Sequence, residues 1–229
     1  MNPISLCMVV HNAEKDLYHC LNRCRRYFSE IIIVDDLSLD QTVELAKEFT
    51  PHVFKMPRAG FCEPYRQLSL DLATNEWAFV LDADECPDDS LLDALPRLIT
   101  MPYDLFIFNR ISFLQGLYVE EEPNQTRLLR RTPEMFWSNR IHTHPQGFKS
   151  LSPVMLNMAL LHFRHSVGEL EEKESRYKRI IDEWLPYWDN IVSGNPPLLK
   201  MLESIGCPVT GAQPYHRIDH SWVRKERQA

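Results

Sequence analysis

Three short apolar runs constrain the fold more than any other feature of the sequence, because polar residues follow each run directly. The runs are residues 4–10, 31–34 and 77–81, and apolar residues at helical spacing lie between them. Such runs are typical of strands that are buried on both faces. Strands separated by helical segments indicate parallel β-α-β units with right-handed crossovers. For 229 residues we expect one α/β domain with a Rossmann-like, mostly parallel sheet flanked by helices.

The polar residues after these runs are expected to meet at one edge of the sheet. In parallel sheets, ligands bind beyond the carboxyl ends of the strands. The residues at these ends are His11, Asn12, Asp35, Asp36, Asp82 and Asp84. They predict a ligand site that combines residues far apart in the chain.

Asp82-Ala83-Asp84 is the motif with the clearest chemistry. Two carboxylates one residue apart can point into the same cleft where the chain leaves the sheet. A hard divalent cation bound to a diphosphate needs one or two protein carboxylates, because phosphate oxygens and water complete its shell. The alternative is an acidic loop whose aspartates cap the following helix.

The net charge bears on which ligands the protein can bind, and the cysteines bear on its cellular compartment. The net charge of -7 argues against nucleic-acid binding, which relies on a basic surface. The six cysteines form no CxxC pair, so we expect reduced thiols and a cytoplasmic protein. The apolar run at residues 4–10 is too short for a signal core or a membrane span. Peripheral contact with the cytoplasmic membrane face is left open.

The second half of the chain has a weaker pattern. We expect a helix over residues 87–98, begun by Asp88, Asp89 or Ser90 as the cap. Strands are expected at residues 105–108 and 158–163, with a hairpin partner at 111–119. Residues 169–188 have the pattern of a charged amphipathic helix.

Three blocks of the first 85 residues resemble the family 2 glycosyltransferases. They are residues 4–14 (ISLCMVVHNAE), 31–42 (IIIVDDLSLDQT) and 81–85 (LDADE). Weaker resemblance continues through residues 127–131, 140–142, 161–165 and 172–177. The resemblance implies the GT-A fold, with residues 1–110 as the nucleotide-sugar-binding half and 111–165 as the acceptor side. Residues 166–229 would form a C-terminal helix and tail.

The resemblance also implies a set of donor-binding residues. The nucleotide would lie against the segment after the first strand, and Asp35 or Asp36 would accept from the base or ribose, although Asp35 is alternatively a turn residue. Arg66 would meet the base or a phosphate, or else be a solvated helix arginine; Gln67 stands where many members have asparagine. Arg127 and Arg130 would contact the diphosphate or an acidic acceptor, or be solvated. The full donor-binding set is Val10, His11, Asn12, Glu14, Asp35, Asp36, Arg66, Asp82, Ala83 and Arg127.

A divalent metal, Mn²⁺ or Mg²⁺, is implied at the strand-end aspartates. Asp84 would bind it directly, and Asp82 would contact the metal, its waters or sugar hydroxyls. His162 matches a position that can supply a third ligand, with His165 as the fallback. A nitrogen ligand would favour manganese. The alternative for His162 is a hydrogen-bonded core residue.

At the position of the catalytic base the sequence departs from the family pattern, because His142-Thr143 stands where related sequences often have His-Glu. An inverting transfer needs a group that takes the proton of the acceptor hydroxyl. His142 and His144 have a suitable intrinsic pKa. The alternative is an acidic run that includes Glu121, between Glu120 and Glu122.

The function expected from these features is the transfer of a hexose from a nucleotide-diphosphate sugar, UDP-linked by preference, to a saccharide or lipid-linked acceptor. The reaction would be metal-dependent and inverting. Two alternatives stay open, a nucleotidyltransferase on a related fold and a binding protein without turnover. The former is disfavoured because no glycine-rich basic loop follows the first strand. The oligomeric state is not predicted.

Overall fold

The computed structural model describes residues 1–137 and 144–164. The strands are β1 (Asn2–Val10), β2 (Phe28–Asp36), β3 (Val53–Met56), β4 (Trp77–Val80), β5 (Glu85–Pro87), β6 (Leu105–Leu114), β7 (Leu117–Arg130), β8 (Phe136–Trp137), β9 (Pro145–Gln146) and β10 (Leu151–Arg164). The α-helices are α1 (Glu14–Cys24), α2 (Thr42–Lys47), α3 (Glu63–Leu72) and α4 (Asp89–Leu98).

Eight strands form one mixed sheet in the order β3-β2-β1-β4-β7-β6-β10-β5. β1 pairs in parallel with both β2 and β4, and β3 extends the parallel part beyond β2. β7 is antiparallel to β4 and β6, whereas β10 runs parallel to β6 and antiparallel to β5. The expected mostly parallel sheet is confirmed, and it is mixed through the antiparallel strands β5 and β7.

Helices cover both faces of the sheet, which explains why β1 is apolar at successive positions. Leu6 and Met8 pack in the cluster that contains Leu17 of α1 and Leu95 of α4. Cys7, which points to the opposite face, packs with Leu70 of α3. Alternation of side chains along a strand sends neighbouring residues to opposite faces, so a strand with helices on both sides needs apolar residues throughout.

α4 begins where the sequence predicts a cap. The Asp88 carboxylate accepts from the Leu91 backbone N–H (2.7 Å) and also from the Ala159 N–H of β10 (3.0 Å). The first contact satisfies a helix N–H that has no partner within the helix. The second joins α4 to the sheet.

The predicted hairpin at residues 111–119 is wrong in its boundaries. Ile111 belongs to the same long strand as Leu105, and the partner strand starts only at Leu117. The turn between them consists of Gln115 (φ 51°) and Gly116 (φ 82°), and two residues with positive φ match a tight hairpin turn. β5, β8 and β9 were not expected from the sequence.

The proposed division of the chain is only partly covered by the structure. The boundary after residue 110 falls within β6, and the helix expected at residues 169–188 lies outside the described residues. The division at 111–165 and 166–229 stays a prediction. In residues 1–137 and 144–164, no helix has both the length and the apolar character needed to cross a membrane.

Gly147 provides a test of the β8–β9 unit. Its φ is +79°, and a Cβ at this position would lie 1.8 Å from the Glu134 carbonyl oxygen. Gly116 has a similar φ of +82° but no atom within 4 Å of such a Cβ. We expect Gly116→Ala to cost about 1–2 kcal/mol of unfolding free energy, the cost of left-handed backbone for an L-residue. Gly147→Ala adds an overpacking cost of about 1–3 kcal/mol.

Urea unfolding of the two variants measures the difference directly. Equal stability losses for Gly116→Ala and Gly147→Ala would contradict the close approach of Gly147 to the Glu134 backbone.

Candidate active site

The carboxyl ends of β1 and β2 meet, as the topology requires. The His11 Nδ1 lies 2.8 Å from the Asp36 carbonyl oxygen, and the Asn12 N–H donates to the Ser38 hydroxyl (2.9 Å). Asn12 has a φ of 48°, and its side-chain oxygen accepts from the Leu39 N–H (2.8 Å). Burial, together with Arg58, lowers the pKa of His11. These contacts fix the segment after β1 against the segment after β2, both of which are predicted to bind the donor.

Glu14 and Val10 flank this junction. The Glu14 carboxylate, on an exposed residue, accepts from the Gln41 N–H (3.1 Å), which joins the start of α1 to the start of α2. Val10 is buried at the end of β1. The two residues border the strand-end segment in the chain.

Asp35 and Asp36 are both buried and have different partners. One Asp35 oxygen accepts from the Ser38 N–H (3.0 Å), which is the turn role left open for this residue. Its other oxygen, Oδ1, has no hydrogen-bond partner among the residues that the structure describes. The Asp36 carboxylate accepts from Arg58 and from the Ala59 and Gly60 N–H groups. Asp36 therefore anchors the loop between β3 and α3.

The Asp82-Ala83-Asp84 motif forms a tight turn. The Glu85 N–H donates to the Asp82 carbonyl (3.1 Å), so Ala83 and Asp84 occupy the middle of the turn. The Asp84 side chain is 45% exposed. Its carbonyl oxygen accepts from the Phe163 N–H of β10 (2.9 Å), which brings the turn next to His162.

His162 and Asp84, 78 positions apart in the chain, are in direct contact. The His162 Nε2 lies 3.2 Å from an Asp84 carboxylate oxygen, and its Nδ1 lies 3.0 Å from the Ser112 hydroxyl. His162 is buried, whereas Asp84 is partly exposed. The Ser112 hydroxyl holds one ring nitrogen, so the other ring nitrogen faces the Asp84 carboxylate. Metal-binding histidines are likewise oriented through their second ring nitrogen.

Asp82 contacts two arginines. Arg66 Nη2 lies 2.8 Å from one carboxylate oxygen, and Arg127 Nη2 lies 3.2 Å from the other. Burial disfavours the charge on Asp82, but the arginines outweigh it and hold the pKa of this carboxyl well below its usual range. Arg66 also lies over the Trp137 ring, 5.2 Å from its centre. Both arginines are buried, so the solvated alternatives for Arg66 and Arg127 are wrong.

Glu85 is a central residue that sequence reasoning missed. Its side chain is 0% exposed, and it accepts from Arg127 Nε (3.0 Å) and Nη2 (2.6 Å). Arg110 Nη1 contacts the same carboxylate at 3.3 Å. The sequence signal for Glu85 was its position directly after Asp84. Adjacency alone, however, does not reveal that the side chain is buried or that it pairs with Arg127, 42 positions away.

A β-bulge directs Arg127 toward this cluster. Leu128 pairs with Phe106 and Thr126 pairs with Ile107, so Arg127 is the extra residue of β7. Bulges change the direction of a side chain and are frequent beside active sites. Arg130, by contrast, lies at the far end of β7 beside Glu76 and Asp104, away from Asp82.

The aspartates do not by themselves form a complete metal site. Within the part of the chain that the structure describes, no group of three or more His, Cys, Asp or Glu could hold a metal ion. Both Asp82 oxygens contact arginines, which leaves Asp84 and His162 as the pair of suitable donors. One oxygen and one nitrogen donor suit a borderline divalent cation, provided that a ligand supplies further oxygens.

The candidate bases differ in placement. His142, like the fallback ligand His165, lies outside the described residues. His144 is exposed, and its Nδ1 lies 3.4 Å from the Thr126 hydroxyl, one residue from Arg127. Glu121 accepts from Asn109 (3.2 Å).

Strand register separates Glu121 from Glu120. Glu120 is opposite Ser112, which is opposite His162, so these three share one face of the sheet. Glu121, one position further along the strand, projects to the other face. Of these two glutamates, Glu120 is therefore the one on the same face of the sheet as His162.

A cavity of about 720 Å³ lies at the opposite edge of the sheet. Its lining includes Arg25, Glu30 and Asn75, near the amino ends of β2 and β4. It contains none of the strand-end residues described above, so its size does not make it the donor site.

A family comparison classifies the chain. The model of glycosyl transferase family 2 matches residues 5–157, more than half of the chain. The chain belongs to this family. The resemblance of the three sequence blocks is thereby confirmed.

Two curated relatives illustrate the range of the family. The prophage-derived glycosyltransferase SunS of Bacillus subtilis is 23% identical over 194 residues, which cover 80% of this chain and 45% of SunS. The lipopolysaccharide core biosynthesis glycosyltransferase LpsC of Rhizobium meliloti is 29% identical, over 78% of this chain and 70% of LpsC. The chain thus spans less than half the length of SunS.

Solved structures support the fold. A crystal structure of S. aureus TarS 1-349 aligns with a TM-score of 0.56 and 17% identity, over 88% of this chain and 72% of the TarS 1-349 chain. TarS in complex with UDP-GlcNAc aligns with a TM-score of 0.53 and 15% identity, again over 88% and 72%. The GT-A fold expected from the sequence is confirmed.

Asp36 gives a pH-dependent test of the strand-end loop. Burial raises the pKa of its carboxyl from the usual 3.8 to about 6, although the Ala59 amide and Arg58 oppose this shift. Between these values the unfolded chain is ionised at Asp36 while the folded protein holds the proton. Stability contributed by Asp36 should therefore fall as pH rises from 4 to 6, by up to about 3 kcal/mol, and stay constant above that window.

The measurement compares urea unfolding of the wild type with Asp36→Asn between pH 4 and pH 7. The difference between the two should change with this sign and within this window. A difference that is independent of pH would contradict the raised pKa.

Proposed function

We propose that this protein is a metal-dependent, inverting glycosyltransferase that transfers a sugar, a hexose by preference, from a UDP-sugar to a saccharide or lipid-linked acceptor. The observation that carries the proposal is the contact of Asp84 with His162 beside the Asp82–arginine cluster at the carboxyl edge. Membership of glycosyl transferase family 2 supports the reaction class. The binding of UDP-GlcNAc by TarS supports the donor.

The nucleotide of the donor is proposed to lie over the ends of β1 and β2. Val10, His11, Asn12 and Glu14 would border it on one side, with Asp35 and Asp36 beneath. Asp35 Oδ1 and Arg66 Nη1 are buried polar atoms that lack a hydrogen-bond partner among the described residues. A buried polar atom without a partner is costly, and a bound nucleotide would supply partners at both positions.

Asp84 and His162 would hold the divalent metal, which we propose to be Mn²⁺ rather than Mg²⁺ because of the ring nitrogen. When bound, such an ion neutralises charge on a leaving diphosphate. Asp82 would act through Arg66 and Arg127, which it holds at the edge of the site next to the Asp84 turn. The two guanidinium groups would stabilise the diphosphate charge that grows as the sugar departs.

Inversion requires a base on the acceptor side. We propose His144, with His142 as its alternative, because His144 is exposed and lies beside Thr126, the residue that precedes Arg127 in β7. Its neutral ring would take the acceptor proton as the hydroxyl attacks the anomeric carbon. Glu120 is the competing group on the His162 face.

Coupling between metal and UDP tests the donor site. With two protein donors only, Mn²⁺ should bind weakly alone and raise UDP affinity, because the diphosphate completes its shell. We expect Asp84→Asn to remove this gain and to abolish UDP release from a UDP-sugar. Titration calorimetry of UDP with and without Mn²⁺ gives the gain.

Asp93→Asn is the matched control, since Asp93 is an exposed carboxylate on α4 near Tyr27. It should retain the full manganese effect. UDP affinity that is equal with and without Mn²⁺ in the wild type would refute metal dependence.

Substitution of the base tests the acceptor side. His144→Ala should lower the rate of UDP release from a UDP-sugar plus acceptor by about 10²–10⁴-fold, the usual contribution of a general base. UDP affinity should be unchanged, because the base contacts the acceptor. The same rate effect in Glu120→Gln, with normal rates in His144→Ala, would assign the role to Glu120 instead.

Metal-dependent UDP binding without any UDP release would favour the remaining alternative, a nucleotide-sugar-binding protein without turnover. The sequence feature behind this alternative is threonine at position 143, where related sequences often have glutamate.

A further inference from the structure

Glu85 is a buried charged group at the candidate site, and it is neither a proposed metal ligand nor a proposed donor contact. Its side chain is 0% exposed and its carboxylate receives both Nε and Nη2 of Arg127. A bidentate arginine pair of this kind fixes direction as well as distance. The same carboxylate also accepts from the Asp82 backbone N–H (3.3 Å).

The turn is therefore closed from both ends. The Glu85 N–H donates to the Asp82 carbonyl, while the Glu85 side chain accepts from the Asp82 N–H. These two reciprocal contacts determine the path of the two residues between them. Asp84 is one of those residues, so the direction of its carboxylate depends on Glu85.

The backbone of Glu85 also sets the distance to β10. Glu85 is the first residue of β5 and is directly opposite His162 in the antiparallel pair. The side chain of Glu85 holds the turn that carries Asp84, and its backbone aligns that turn with His162. One residue thus connects both proposed metal donors.

The Glu85 carboxylate also influences the position of Asp82, through Arg127. Arg127 Nη2 is shared between Glu85 (2.6 Å) and Asp82 (3.2 Å). If Glu85 were uncharged, Arg127 would be free to turn wholly to Asp82 and draw the first residue of the turn toward β7. The charge on Glu85, and not only its volume, therefore holds Arg127 between Glu85 and Asp82.

The geometry points to Glu85 as a positioning residue that holds Asp84 against His162, and Arg127 against Asp82, in the arrangement that binds metal and diphosphate together. This inference rests on the proposed function. A buried ion pair adds little net stability compared with apolar residues of similar size, so stability alone does not account for a charged group at this position.

Two substitutions separate charge from position. Glu85→Gln keeps the shape and one acceptor oxygen but removes the charge. Glu85→Asp keeps the charge but is one methylene shorter, so it cannot reach Arg127 and the Asp82 N–H together. If Glu85→Gln does not fold, Glu85→Asp tests the same geometry with the buried charge retained.

Asp104→Asn is the matched control for loss of a largely buried acid. The Asp104 side chain is 14% exposed and accepts from the Lys149 and Ser150 N–H groups (3.0 and 3.1 Å), at the start of β6. It lies at the opposite edge of the sheet from Asp82, since Arg130 beside it pairs with Trp77 at the start of β4.

Calorimetric titration of UDP, with and without Mn²⁺, is carried out on the full chain after urea unfolding has shown that each variant is folded. The wild type and Asp104→Asn should show the same manganese-dependent gain in UDP affinity. Either Glu85 variant should lose about 10–100-fold of that gain, the usual effect of removing a partner that orients metal ligands. UDP affinity without metal should change much less.

The outcomes distinguish this inference from the function on which it rests. A wild-type gain that is preserved in both Glu85 variants overturns the inference alone. An equal loss of the manganese-dependent gain in Asp104→Asn also overturns the inference, because the loss would then follow from reduced stability of the protein. Absence of any manganese effect in the wild type overturns the proposed metal dependence and this inference with it.

Discussion

The buried ion pair between Glu85 and Arg127 is the interaction on which the rest of the candidate site depends. A buried carboxylate or guanidinium is costly unless it is paired, and each of these two charges is the nearest partner of the other, at 2.6 Å compared with 3.3 Å from Glu85 to Arg110 and 3.2 Å from Arg127 to Asp82. The pair therefore fixes both side chains. Arg127 extends the same constraint to Asp82, and Arg66 completes it from α3. The result is an acidic turn in which Asp84 has the most exposed carboxylate, 45% against 27% for Asp82 and 0% for Glu85.

The topology of the sheet brings these partners together. The chain leaves β1 toward β2 on one side and returns with β4 on the other, so the crevice between the ends of β1 and β4 is a topological switch point. β4 is also where the parallel part of the sheet meets antiparallel β7. An antiparallel neighbour runs past the end of β4, and its bulge at Arg127 places a cation beside the strand-end carboxylate.

The sequence predicts the convergence of the strand ends well and the buried ion pairs around them poorly, for a physical reason. The apolar runs that became β1, β2 and β4 are buried on both faces, which leaves a strong local pattern, and the residues that follow them converge as expected. His162 was found because the resemblance marked it. Glu85 was missed because its role depends on residues of β6 and β7, and a bulge that redirects Arg127 leaves no periodic signal. For the same reason, burial of Arg66 and Arg127 could not be read from their neighbours.

The commitment of Asp82 to two arginines changes how the proposed metal site would work. If both aspartates were ligands, their charges would largely cancel that of a divalent ion and weaken its attraction for a diphosphate. With Asp82 paired to Arg66 and Arg127, one carboxylate and one imidazole remain as protein donors. An ion held in this way keeps part of its positive charge for the ligand, and the arginines lie beside it. The protein would then bind the ion and the diphosphate strongly only together, which keeps the strongest electrostatic stabilisation for the donor-bound state.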